Sequence, residues 1–204
     1  MLPLAIESDL TRARAGDRAA LSVVLQALEP RLLRMVELRL EQALRRRLEP
    51  RDIVQEALLE AARRFDEWRA DPRIPFHSWL RLICAQALTN AQRKHLGTQK
   101  REAAREQVLL DRPSVSAANA ADFFVASQTS PSQAATRSEA RVLVLNALLE
   151  LDEMDREILA LRHFEELSND EAAVELGIEP AAASKRFARA LQRLRPALRA
   201  LETG

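Results

Sequence analysis

Three groups of residues have side chains suited to recognition. Trp79, Gln86, Asn90 and Arg93 recur at spacings of 7, 4 and 3, which keeps them on one side of a helix, and Lys94 follows directly. An indole stacks on an unpaired base, amides read base edges, and cations hold phosphate. Ser184, Lys185, Arg186 and Arg189 lie across a helix from the stripe Ala183, Phe187, Ala190 and Leu194. Such a helix is apolar toward its own module and basic toward a DNA groove. The third group, Asp52, Gln55, Glu56 and Leu59, lies across from Val54, Leu58, Ala61, Phe65 and Trp68. An acidic face with an outward leucine suits a basic protein surface and would repel nucleic acid.

Bond-making chemistry has no comparable support. The three histidines, His77, His95 and His163, are scattered, and neither a glycine-rich phosphate loop nor a nucleophile–base pair is present. One cysteine, Cys84, excludes an internal disulfide and a cysteine-rich zinc site. The expectation is a protein with no catalytic residues, no metal and no cofactor.

The elements that must position these groups are helices. Hydrophobic residues make up 47% of the 204, mostly Leu and Ala, against only 4 glycines and no tyrosine. Periodicity and punctuation predict helices at about 8–15, 17–47, 51–69 and 76–96, with Gly16 between the first two and Pro30 kinking or splitting the second. Gly97 is placed to cap the fourth. A second set is expected at 139–150, 153–164, 169–176 and 180–199. Ser168 and Glu171 have the spacing of a capping box, Gly177 supplies a turn, and Pro180 suits the first turn of the last helix. Together with the small Ala173, this is the pattern of a helix-turn-helix. Phe65, Trp68, Phe76 and Trp79 place four of the eight aromatics within fifteen residues. Trp68 reads as core, while Trp79 suits either the core or a stacking role.

Charge divides the chain the same way. Overall it nearly cancels, at +1, yet no acid stands between Asp71 and Glu102 or between Glu179 and Glu202, where lysines and arginines accumulate. Two acid-free blocks, each preceded by an acidic stretch, point to two modules with a polyanion partner. From Asp111 to Ser138 the sequence turns to Ser and Ala with Pro113 and Pro131, and no sustained helical period is visible. The expected organisation is an all-α chain of two small domains, 8–105 and 139–200, joined by a flexible linker at 106–138 with an apolar anchor at Phe123, Phe124 and Val125. No apolar run approaches the roughly 18 residues of a membrane span. A soluble, cytoplasmic protein is expected.

Asp52–Glu56, Phe76–Leu80 with Ile83, Glu157–Phe164, Leu176–Ile178 and Lys185–Leu191 occur in the order found in the extracytoplasmic-function (ECF) group of sigma-70-type sigma factors, which the chain resembles over about 150 residues. The resemblance implies sigma domains two and four, core RNA polymerase and promoter DNA as partners, and no enzymatic activity. It implies polymerase docking through Asp52, Gln55 and Glu56, which the outward Leu59 of the same face is expected to join. Promoter −10 reading and melting would fall to Trp79, Gln86, Asn90, Arg93 and Lys94, and −35 reading to Ser184, Lys185, Arg186 and Arg189. Gln86 and Asn90 depart from the residues common in the group, and Ala181 and Ala182 are small for the base-reading end of a recognition helix. The resemblance leaves open an anti-sigma factor as a further partner. The rival is a helix-turn-helix repressor or activator with a sensing or dimerising N-terminal half, which needs neither the Asp52–Glu56 motif nor melting aromatics. If the modules read sites roughly 20 base pairs apart, they are about 70 Å apart. Segment 111–138, fully extended, reaches roughly 90–100 Å.

Overall fold

The computed structural model describes residues 4–96, 113–128 and 134–202, with nine α-helices and no strand among them. The chain divides into two units, one before and one after the bond between Pro113 and Ser114. Gly97 and residues 98–112 lie outside the described residues.

In the first unit, α1 (Leu4–Arg14) turns at Gly16, whose φ of +107° disfavours any side chain, into α2 (Arg18–Arg39). Asp17 caps α2 by accepting from the backbone N–H groups of Ala19 and Ala20 at 3.0 Å. Those bonds and the Arg12 guanidinium hold its carboxyl below the usual value. Pro30 sits inside α2 without ending it. The helix stops at Arg39, eight residues short of the expected end, because Leu40 adopts an extended conformation. A 3-10 turn, Gln42–Leu44, follows, and both Leu40 and Leu44 are buried. Burial of two leucines has overridden helical propensity.

Then α3 (Pro50–Ala70) and α4 (Phe76–Leu96) form a hairpin. The predicted stripe of Val54, Leu58, Ala61, Phe65 and Trp68 is buried throughout. At the hairpin's closed end Trp68 donates its indole N–H to the Ile74 carbonyl at 3.0 Å, fixing the loop between the helices. Cys84 is buried against α4's neighbours, and burial pushes its thiol up to about 12.

The second unit begins earlier than the sequence suggests. Residues 117–128 of the expected linker form α5 (Ala117–Gln128), which packs on α6 (Ala134–Leu149). Phe124 is only 1% exposed, with its ring 5.0 Å from His163 and 4.7 Å from Phe164. Asp122 accepts from Arg141 at 2.5 Å, and the Val115 N–H donates to Glu157 at 2.7 Å. The composition misleads because five of the twelve residues of α5 are alanine: its buried apolar face joins Ala120 and Ala121 to Phe124 and Val125, with no leucine stripe.

Next come α7 (Glu153–Leu159), a π-helical turn at Ala160–Phe164, α8 (Asn169–Leu176) and α9 (Pro180–Glu202). The Glu165 N–H reaches back five residues to the Ala160 carbonyl at 2.9 Å, and Glu166 takes a left-handed φ of +55°. The capping box forms as expected: Ser168 Oγ accepts from the Glu171 N–H at 3.2 Å, and the Ser168 N–H donates to the Glu171 carboxylate at 2.7 Å. Gly177, at φ +64°, closes α8.

Candidate nucleic-acid interface

The helix-turn-helix is α8, the turn at Gly177 and α9. Ala172, Ala173 and Ala183 are buried with Ile158, Leu161 and Leu167, and Phe187 packs at the edge. Small side chains on both helices let them pack closely, as such a motif needs. Ala183, Ala190 and Leu194 are buried as the stripe requires. Ser184, Lys185 and Arg189 are exposed on the far side, and Ala181 is open at the helix start.

Arg186 differs from its neighbours. Its guanidinium donates to Asp155 at 2.8 Å and lies 3.5 Å from Asp152. Arg189 donates to the same Asp155 oxygen at 3.2 Å, and Arg193 lies 3.9 Å from the other. Asp155 is fully buried, on the first turn of α7, where its N–H also donates to the capping Asp152 at 2.7 Å. Burial alone would raise its carboxyl. The hydrogen bonds and charges of Arg189 and Arg186 outweigh that and hold it below the ordinary value. Asp155 in turn holds Arg186 more firmly protonated. Of the four residues predicted for −35 reading, two therefore face solvent unengaged by an ion pair, and two are shared with a buried carboxylate. Nothing in the sequence singles out Asp155; an acid three residues after the capping Asp152 reads there as ordinary first-turn charge.

In the first unit the predicted polymerase face is open. Asp52, Gln55 and Glu56 are exposed, and Leu59 is 59% exposed in their midst. Gln55 donates to Glu29 of α2 at 3.2 Å. On α4, Gln86, Asn90, Arg93 and Lys94 are all exposed. Trp79 is not with them. It is 8% exposed, with ring centroids 5.9 Å from Trp68 and 5.6 Å from Phe76. The stripe begins inside the aromatic cluster and emerges only a turn or two later, so the indole stands in the core while the amides and cations face out. Helical spacing places residues on one face but does not say where along the helix that face is covered.

Residues 141–194, from α6 through most of α9, match the family described as Sigma-70, region 4. The C-terminal unit is thus of the sigma-70 region 4 class. Among solved structures the chain is similar to that of CnrH in complex with the cytosolic domain of CnrY: 21% identity, a TM-score of 0.51, 96% of this chain and 98% of that chain covered. At that identity the likeness speaks for the all-helical fold. No curated protein sequence matches the chain. The family match therefore speaks for residues 141–194, within the second unit. Among the described residues, no helix is long and apolar enough to cross a membrane.

Proposed function

We propose that the chain is an ECF-type sigma factor that binds core RNA polymerase and directs promoter-specific initiation. The carrying observation is the region 4 helix-turn-helix, whose helix α9 has no acid from Pro180 to Leu201 and turns Ser184 and Lys185 outward. In this reading α9 enters the −35 major groove, with Lys185 on phosphate and the small Ala181 against thymine methyls. The exposed amides and cations of α4, Gln86 to Lys94, take the −10 strand. The acidic α3 face docks on the polymerase, with Leu59 as the apolar centre of the contact. An anti-sigma factor is a fitting further partner, since CnrH is held by the cytosolic domain of a second protein. The family is not enzymatic, and the chain works in the cytoplasm.

Run-off transcription with purified core polymerase on a library of promoter fragments tests the proposal, paired with pull-down and melting of Asp52→Arg and Glu56→Arg. Both residues are exposed, so loss of polymerase binding without loss of stability is expected. Full-strength binding by both variants, or tight specific DNA binding without polymerase, would favour a repressor instead.

A further inference from the structure

Three consecutive arginines, Arg45, Arg46 and Arg47, follow the 3-10 turn and play no part in the surfaces described so far. The sequence hides them inside an expected long helix, but in the structure α2 has ended and they form an exposed turn. Arg45 folds back to donate to the Glu37 carbonyl at 2.9 Å. The Arg47 backbone N–H closes the turn on the Leu44 carbonyl at 2.8 Å, but the side chains of Arg46, Arg47 and Arg51 have no hydrogen bond or ion pair among the described residues.

Two observations place this turn beside the outer end of α4. Gln92, largely buried, donates to Glu41 at 3.4 Å, tying the start of the turn to α4. The α3–α4 hairpin closes at the aromatic cluster, where Phe65 meets Phe76 and Trp68 meets Trp79. Its opposite end therefore brings Arg51, at the start of α3, alongside Arg93 and Lys94 at the end of α4. Acids there are Glu37, which lies close enough to Arg45 to feel its charge, Glu41, Glu49 and Asp52, fewer than the arginines and lysine they face.

We propose that Arg46, Arg47 and Arg51, continuing from Arg93 and Lys94, form a phosphate-binding surface that guides a nucleic-acid strand past the end of α4. The inference rests on reading α4 as the promoter-facing helix. A protein partner would need an apolar centre. Here Leu44 is buried and Leu48 packs against the core, and no large apolar side chain is exposed between 41 and 51 or between 86 and 95. Cations without an apolar centre suit a charged, hydrated backbone, which carries no sequence information.

The test is the salt dependence of binding by the full chain, alone on a single-stranded oligonucleotide and with core polymerase on a forked promoter. Arg46→Ser, Arg47→Ser and Arg51→Ser are compared singly and together. Each phosphate that is no longer neutralised should flatten the slope of log K against log salt by about 0.7 on single strands, so by roughly 2 for the triple variant. The loss should be equal on scrambled −10 sequence. Arg63→Ser, on an exposed face elsewhere on α3, should change nothing. An unchanged slope overturns the proposal, as does loss of polymerase capture in the absence of DNA. If the wild-type chain directs no transcription, the sigma reading fails, and the slope measured on the chain alone still decides the surface.

Discussion

Replacing Asp155 with Asn keeps the shape of the side chain and one acceptor but removes the charge that three arginines of α9 share. Asp155 is fully buried, with Arg186 at 2.8 Å, Arg189 at 3.2 Å and Arg193 at 3.9 Å. Breaking a buried ion pair costs about 3–5 kcal/mol when the abandoned charge has nowhere to go. These guanidinium groups are 31%, 50% and 52% exposed and turn readily to water, so the expected cost is about 2–3 kcal/mol. For a unit of this size, that lowers its melting transition by roughly 10–20 °C. Acid should reproduce the effect in the wild type. A depressed carboxyl contributes stability above its unfolded value of 3.8, and that stability fades as pH falls through the lower folded value. In Asp155→Asn this part of the acid dependence should be missing. The same substitution frees Arg186 and Arg189 for phosphate, so duplex binding should steepen in its salt dependence by up to about 0.9 per additional phosphate neutralised. Calorimetry from pH 2 to 7 and DNA titrations at several salt concentrations read both. A variant that melts like wild type at every pH, with an unchanged salt slope, would refute the reasoning.

Trp79→Ala should lose about 3–5 kcal/mol from the first unit, as for any large aromatic taken from a core, and a pre-melted −10 template should not rescue its transcription. Rescue at full thermal stability would return Trp79 to a stacking role. Phe124→Ala should cost the second unit about 3–4 kcal/mol and expose the α5 amides, read by hydrogen exchange. Glu166→Gly relieves a left-handed backbone and should raise the second unit's melting point by a few degrees, a gain of roughly 0.5–1 kcal/mol after the added unfolded-state entropy. A lower melting point would mean that the Glu166 side chain contributes more than its backbone strain costs.

The helix-turn-helix is legible in the sequence because several independent signals coincide within thirty residues: the Ser168–Glu171 box, Ala173, Gly177 and the stripe from Ala183 to Leu194. Each is a local rule, and local rules survive folding. The buried face of α3 is legible for the same reason. What the sequence conceals are features set by partners distant along the chain. The early end of α2 depends on where Leu40 and Leu44 find the core. The burial of Trp79 depends on α3 lying beneath the first turns of α4. The tie between Asp155 and Arg186 joins residues 31 apart, and nothing in the spacing of either helix announces it. Helix α5 is hidden because half of its buried apolar face is alanine, which leaves Phe124 and Val125 too short a stripe to reveal a period.

That helix changes the arithmetic of distance. With α4 described to Leu96 and α5 beginning at Ala117, the connection between the two units is at most residues 97 to 116. Whatever its path, it reaches no further than roughly 70 Å, about the separation of the two promoter elements rather than well beyond it. A residue of extended chain and a base pair of duplex advance by nearly the same length, about 3.4 Å. The tether therefore acts as a ruler graduated in base pairs. If the two units read promoter elements as proposed, docking α5 onto the second unit lowers the greatest spacing the chain could straddle, by about one step of the double helix for each residue taken from the tether.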